Sequence, residues 1–381
     1  MKSIDELRNE INTIDDKLAG LFVKRMDLAL EIAEQKKEQN LPVLNSKREQ
    51  EILQRITAEV REPLDSYARI LFNTLFDVSR SYQHRHMEAL SGLQNRIEKA
   101  LAETPKIFPE KAVAACQGIE GAYSQLACEK LFAFPTIMYF NNFAGVFSAV
   151  EKGLCQYGIL PIENSSYGSV GEVYDLMKNY NFHIARAVKL RVSHRLLAKP
   201  GTSLSEVREI FSHEQAIGQC REFLDSLKGV RVTVCENTAV AAQLAAASDR
   251  RDIAAISSAN CAGLYGLEVL RDDIQLSDNN YTRFICISKN LQIFPGAGKV
   301  SLMLSLPHKP QSLYHMIANF SALGLNLTKL ESRPIPGSDF EFMFYFDMDA
   351  SIYSPELVNL LCQLESEPEL FVFLGSYSEI N

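Results

Sequence analysis

Apolar residues recur near the start of the chain at Ile4, Leu7, Ile11, Ile14, Leu18, Leu21, Leu28 and Ile32. Steps of three and four residues make a heptad stripe, so the segment is predicted to be one long helix packed against partners along that seam. The stripe has a gap at position 25, and the residue there is Arg25. A guanidinium on an apolar seam is costly unless an anion meets it. At about 100° per residue, Lys36 falls only ~20° around the helix from Arg25 and ~16 Å further along, so both cations face one side. Arg8 lies roughly 100° off that face, which points to a different site. Arg48 and Glu49 open a second helix, and Ser79 and Gln83, at i and i+4, share one helical face. Singly, Arg25 reads as a side chain snorkelling out of a coiled coil and Lys36 as a solvated charge.

Beyond residue 107 the period shortens. Apolar runs at 111–116, 157–162, 230–235, 253–256 and 283–287 read as short strands, with helical stretches at 206–211 and 239–247 between them. That alternation predicts α/β packing with a largely buried sheet. A linker at 102–110 precedes this region and a glycine-richer one at 289–299 follows it. After the second linker, strand-like 300–306, helical 313–322 and strand-like 340–348 predict a small α+β unit. The expected architecture is multidomain: helical over 1–100, two-lobed α/β over 107–288, and α+β over 299–381.

Composition sharpens this division. Of the 19 glycines and 14 prolines, only Gly20, Gly92, Pro42 and Pro63 fall in the first hundred residues. A net charge of −8 argues against a nucleic-acid partner. No run reaches the ~18 apolar residues of a membrane span, and the polar, periodic N-terminus carries no signal-peptide pattern. The eight cysteines are scattered, with no C-x-x-C pair, so no metal site is expected and a cytoplasmic location is the simpler reading. No cofactor is expected either.

Five polar turns stand out in the central region: Gln117-Gly118-Ile119-Glu120-Gly121-Ala122-Tyr123-Ser124, Pro161-Ile162-Glu163-Asn164-Ser165-Ser166-Tyr167-Gly168, Ser212-His213-Glu214-Gln215 with Gln219-Cys220, Ala262-Gly263-Leu264-Tyr265-Gly266-Leu267, and Thr282-Arg283-Phe284. Each by itself reads as capping or turn chemistry. In the C-terminal region the signature is Glu331-Ser332-Arg333-Pro334, preceded by Gly324-Leu325-Asn326-Leu327 and by Gln311-Ser312-Leu313.

Taken as sets, these residues resemble known families. Arg8, Arg25, Lys36, Arg48, Glu49, Ser79 and Gln83 are similar to the matched positions of the all-helical chorismate mutase family over residues 1–95; Asn45 stands where many members carry Asp. The resemblance implies rearrangement of chorismate to prephenate. Arginines suit the substrate's carboxylates because their planar fork binds them bidentately. Lys36 and Gln83 would face the breaking ether oxygen, Arg25, Arg48, Glu49, Ser79 and Asn45 would bind substrate, and Arg8 would complete the partner's site in an intertwined dimer or higher homo-oligomer.

The central turns, in this order, resemble the prephenate dehydratase family over residues 107–288. That implies a site in the cleft between two α/β lobes, where prephenate loses water and CO2 to give phenylpyruvate. Neutral donors suit a ring carboxylate that must give up its charge. Thr282 is expected to contact the leaving hydroxyl, with Asn164 and Gln219 also catalytic and Glu163, Ser165, Ser212 and Arg283 binding substrate. Alternatives stay open: Arg283 as a carboxylate anchor or a structural ion-pair partner, Glu163 as a masked acid or a loop-organising acceptor, and His213 as a general acid or a structural residue. The tail resembles the ACT regulatory domain, implying L-phenylalanine as effector, held by Leu313, Asn326, Leu327, Glu331 and Ser332. Gln311-Ser312-Leu313 replaces the usual Gly-Ala-Leu. Removing 299–381 is then expected to relieve inhibition and spare the mutase. The whole resembles the bifunctional chorismate mutase–prephenate dehydratase family of phenylalanine biosynthesis. Other readings are an arogenate dehydratase and a non-catalytic phenylalanine sensor.

Overall fold

A computed structural model describes the chain except for residues 1, 40, 42–44, 88–91, 278, 336–340 and 367–369, so Pro42 and the first residue of the expected strand at 340 lie outside the described residues. Four helices come first: α1 (Ile4–Glu38), α2 (Ser46–Glu59), α3 (Asp65–Met87) and α4 (Gly92–Glu103). Ser3 starts α1 with a capping box, accepting from the Glu6 N–H at 3.2 Å while its own N–H donates to the Glu6 carboxylate at 2.7 Å. Next come β1 (Lys111–Gln117), α5 (Tyr123–Leu131), β2 (Phe134–Phe140), α6 (Phe143–Glu151), β3 (Tyr157–Asn164), β4 (Gly168–Ser169), α7 (Gly171–Met177) and β5 (His183–Arg191). A second α/β layer holds β6 (Arg195–Ala198), β7 (Glu209–Ser212), α8 (Glu214–Gln219), α9 (Arg221–Ser226), β8 (Arg231–Val234), α10 (Thr238–Ala247), β9 (Ile253–Ser257), α11 (Ala259–Tyr265) and β10 (Glu268–Arg271). The chain ends with β11 (Tyr281–Ser288), β12 (Lys299–Ser305), α12 (Ser312–Ala322), β13 (Asn326–Pro334), β14 (Phe342–Asp349), α13 (Pro355–Ser366) and β15 (Phe371–Ile380).

Two compact units emerge. One comprises Met1–Asn95, Leu306–Gly324 and Tyr353–Glu369; the other comprises Arg96–Ser305, Leu325–Ile352 and Leu370–Asn381. In the first, α1 turns Met26, Ala29 and Ala33 inward, and the two alanines permit close approach. The predicted stripe is instead exposed: Ile4 keeps 69% of its surface and Leu21 67%. The helix was legible, but its seam stays uncovered among the described residues.

The second unit holds two sheets. One runs β13-β14-β12-β15-β5-β11-β3-β1-β2, with β4 paired to β3; the other runs β10-β6-β9-β7-β8. β15 joins β5 in parallel, Ser378 opposite Arg186 and Ile380 opposite Val188, so the C-terminal strands extend the first lobe's sheet. Ile159, Leu160, Ile285 and Ile287 are fully buried on the central strands. The segment 206–211, expected helical, is a short 3-10 turn at Leu204–Glu206 followed by strand β7. Val207, Ile210 and Phe211 mimic helical spacing. A parallel strand buried on both faces, with β8 and β9 as neighbours, places apolar residues without regard to period.

Candidate functional sites

In the helical unit, Arg25 on α1 donates to the Leu75 carbonyl at 3.3 Å and lies 5.7 Å over the Phe76 ring. Burial lowers the pKa of both Arg25 and Lys36, and Glu49 opposes the shift at both, so one carboxylate on α2 faces two partly desolvated cations. Glu49 is itself gripped by Arg80, which also pairs with Asp77. Neither Arg80 nor Asp77 was singled out from the sequence; an Asp and an Arg three residues apart on a helix were the available signal. Ser79 and Gln83 are buried on α3. Gln83 Nε2 donates to Ser79 Oγ at 3.2 Å, and Gln83 Oε1 is buried without a hydrogen bond.

Two expected contacts, Asn45 and Arg48, sit differently, and Arg8 stands apart from the Arg25 site. Asn45 Oδ1 accepts the Arg48 backbone N–H at 3.1 Å as the N-cap of α2. The Arg48 guanidinium is exposed and pairs with Glu51 at 3.2 Å. Arg8 is exposed beside Asp5 at 3.5 Å, off the Arg25 face as its helical phase required.

In the second unit a cavity of about 490 Å³ opens between the lobes. The first lobe lines it with Gln117, Tyr123, Asn164, Tyr167 and Thr282, the second with His213, Gln215, Gln219 and the start of α10. Asn164 is fully committed. Its Oδ1 accepts the backbone N–H groups of Ser166 at 2.9 Å and Tyr167 at 3.0 Å; its Nδ2 donates to Asn280 Oδ1 and Thr282 Oγ1, both at 2.9 Å. The two backbone donors fix which amide atom is the oxygen. With Thr282 Oγ1 accepting from Asn164, the threonine hydrogen is free to be donated elsewhere.

Gln219 Oε1 meets His194 Nε2 at 2.6 Å, and burial lowers the His194 pKa. With Gln219 Oε1 as the acceptor, His194 donates through Nε2–H, and the Gln219 amide N–H groups have no hydrogen bond among the described residues. His213 caps α8 through Nδ1, which accepts the Gln215 N–H at 3.4 Å. Tyr167 reaches across the cavity and donates to the Gln215 carbonyl at 3.1 Å. A Cβ at Gly218 would lie 2.2 Å from that tyrosine oxygen, so the approach requires glycine.

Four expected substrate contacts lie outside the cavity lining. Ser212 is fully buried and donates to the Ile256 carbonyl at 3.0 Å. Ser165 donates to Asn279 O and accepts from Tyr281 N, each at 2.9 Å. Glu163 pairs with Lys329 at 2.8 Å. Arg283 is buried among Asp347, Glu379 and Tyr377. Burial works against its charge, but these partners more than offset that and hold its pKa above the usual value. Strand alternation is the physical reason: Thr282 faces the cavity, so its neighbour faces away.

Residues 7–84 match the type II chorismate mutase family, and residues 114–292 match the prephenate dehydratase family. The bifunctional chorismate mutase/prephenate dehydratase of Escherichia coli K12 is 31% identical over 98% of this chain and 96% of its own length. The chain belongs to the bifunctional chorismate mutase/prephenate dehydratase family. Arogenate dehydratase/prephenate dehydratase 2 of Arabidopsis thaliana is 38% identical over 69% of this chain and 72% of its own. The structure of a prephenate dehydratase from Arthrobacter aurescens in complex with L-Phe superposes with a TM-score of 0.65 at 28% identity, covering 70% of this chain and 89% of that one. The helical N-terminal region and the two α/β lobes are those of this bifunctional family. No helix among the described residues is long and apolar enough to cross a membrane.

His194 is one of the cavity residues that sequence reasoning missed, as are Glu236, Asn237 and Thr238 at the start of α10. The signal for His194 was a lone histidine in Val192-Ser193-His194-Arg195, the crossing from β5 in one lobe to β6 in the other.

Proposed function

We propose that this chain rearranges chorismate to prephenate in its helical unit and converts prephenate to phenylpyruvate in the cleft, as a homodimeric enzyme of phenylalanine biosynthesis inhibited by L-phenylalanine. The observation that carries the second activity is the Asn164–Thr282 pair. Asn164 occupies one threonine lone pair, which leaves the Thr282 hydrogen available to the departing ring hydroxyl. That hydroxyl leaves as water, the ring carboxylate leaves as CO2, and the electron pair of the broken C–C bond completes the aromatic ring. A free threonine is a poor acid, so Thr282 positions the leaving group and relays the proton. Gln219, oriented by His194, offers its amide N–H groups to the pyruvyl end.

For the mutase, Lys36 and Gln83 act on the ether oxygen as charge develops there, and Arg25 holds a carboxylate. Arg8, exposed and off this face, serves the second copy; the bare stripe on α1 supports a helix-to-helix dimer. The three segments 1–100, 107–288 and 299–381 are proposed as the functional divisions. The tail's order β12-α12-β13-β14-α13-β15 supports an ACT-type effector module. Leu313, Asn326, Leu327 and Ser332 are proposed as effector contacts. Glu331, expected among them, gives its carboxylate to Ser169 at 2.6 Å. All eight cysteines are free thiols, in keeping with a cytoplasmic enzyme.

The test is direct. Pure protein given chorismate should yield phenylpyruvate, and given prephenate should yield it without the mutase step. Turnover of arogenate but not prephenate would replace this reading.

A further inference from the structure

The two central strands of the first lobe carry two cross-strand pairs side by side. Across β3 and β11, Asn164 pairs with Thr282 and Glu163 pairs with Arg283. Successive side chains on a strand point to opposite faces. Asn164 and Thr282 line the cavity, whereas Glu163 and Arg283 are absent from its lining.

Both of the latter are held by the C-terminal strands. Lys329 of β13 donates to Glu163 at 2.8 Å and to Ser169 Oγ at 2.7 Å, and Ser169 donates to Glu331 at 2.6 Å. Ser169 stands opposite Glu163 in the β3–β4 pairing and lines the cavity. Arg333 forks onto Asp175 at 2.9 and 2.6 Å, and a Cβ on Gly171 would lie 3.1 Å from its guanidinium. Lys329, Glu331 and Arg333 are alternate residues of β13 and occupy its less exposed positions. On the neighbouring strand, Arg283 is fixed by Asp347 of β14 and by Tyr377 and Glu379 of β15, with Ser301 of β12 bonded to both Asp347 and Tyr377.

We propose that Glu163 and Arg283 are positioning residues, through which the C-terminal strands hold the Asn164–Thr282 pair in dehydratase register. The proposal rests on the dehydratase reading above. It gives Lys329 and Glu331 a mechanical role: β13 clamps the base of the 163–169 hairpin, whose tip carries Tyr167 across the cleft. A displacement of about 1 Å at reacting groups can cost roughly 10²-fold in rate, so loosening the clamp lowers kcat while substrate binding persists.

The experiment uses the full chain with Lys329→Met, Glu163→Gln, the double variant and Lys329→Arg. Prephenate kcat and KM, chorismate consumption, and hydrogen exchange at residues 163–169 and 281–283 are measured. Lys329→Met and Glu163→Gln should each lower prephenate kcat about 10-fold with KM within about twofold, and chorismate consumption should hold. The double variant should be no worse than the worse single, since each removes one shared contact. Lys329→Arg should recover most of the loss, and amide exchange at 163–169 should quicken in Lys329→Met. Unchanged kcat with unchanged exchange, or losses that multiply in the double variant, overturns the proposal. If the wild type itself fails to turn over prephenate, the dehydratase reading falls, and hydrogen exchange then decides the clamp.

Discussion

The two candidate sites handle carboxylates in opposite ways. In the helical unit the chemistry is carried by cations on a helix, Arg25 and Lys36, both losing hydration to burial and both facing Glu49. In the cleft it is carried by neutral groups, Asn164, Thr282 and Gln219, and Arg283, next to Thr282 on the strand, is turned away and neutralised. A dianion that keeps both charges through the reaction is best met by fixed positive charge. A substrate whose ring carboxylate leaves as CO2 would be held back by it. The sites also differ in completeness. The cleft is walled within one chain, while α1 leaves its apolar stripe bare.

The largest effect should come from the tail. Deleting 299–381 removes Asp347, Glu379 and Tyr377 from Arg283 and strips β15 from β5. A buried charge left without its partner costs about 3–5 kcal/mol. Against the expectation that deletion relieves inhibition, dehydratase activity should be lost before inhibition can be scored. Prephenate turnover and thermal melting of the truncated chain check this. A truncated enzyme that is active and phenylalanine-insensitive would restore the original expectation.

Next in size is the separation of the activities. Arg25→Ala or Lys36→Ala should lower chorismate consumption by about 10²–10³-fold, the range for loss of one preorganised charge-stabilising donor. Prephenate conversion should survive within about twofold. Parallel loss of both activities in a folded variant would erase the contrast between the sites. On the other side, Thr282→Ala should cut phenylpyruvate formation roughly 10²-fold, and Thr282→Ser should retain much of it. Near-normal turnover by the alanine variant would remove the threonine from the mechanism.

Stability against pH sharpens the contrast further, because burial acts on three described histidines of the cleft unit. Burial lowers the pKa of His183, His194 and His213 below the ordinary 6.5. A folded-state pKa below the unfolded one means that the unfolded chain binds more protons as pH falls. Stability is therefore full above about pH 6.5 and declines below it, by at most ~1.4 kcal/mol per pH unit for each histidine. Denaturant melts from pH 8 to pH 5 should show the decline, flattened in His194→Gln. A wild-type profile level across that window would contradict the assignment of a neutral, buried His194.

How much of this was legible follows from the physics of each element. A helix of 35 residues with a regular stripe reads clearly, and so does a cation in its seam. The face that packs was not legible, because Met26, Ala29 and Ala33 form no conspicuous stripe. In the cleft, the expected Thr282, Asn164 and Gln219 all line the cavity, since polar groups at strand ends and in turns mark where ligands sit. Arg283 and Glu163 were misplaced among the substrate contacts because alternation along a strand says that neighbours face opposite ways, but not which of them faces the cavity. Asp347 stands 64 residues from Arg283, and Lys329 stands 166 residues from Glu163, distances no local pattern encodes. His194 escaped because one histidine at a lobe crossing has no periodic context.

The smallest expected effect lies at Gln311, where the usual glycine is replaced. Its φ is 74°, a left-handed conformation that costs a residue with a Cβ roughly 1–2 kcal/mol. Gln311→Gly removes that strain. Against it stand the greater freedom of glycine in the unfolded chain, about 0.5–1 kcal/mol, and the loss of an exposed 3.3 Å hydrogen bond from Asn73. The balance is a gain of about 1 kcal/mol or less, so the variant should melt at or slightly above the wild type. Gln311→Val tests the sign independently, because a β-branched side chain is worse still in this conformation and should melt lower. Calorimetry with phenylalanine completes the comparison: the glycine variant should bind as tightly as the wild type or more tightly, since no effector contact proposed above is removed. A valine variant as stable as the wild type would show that the backbone there is not strained, and the glutamine would then be a neutral replacement.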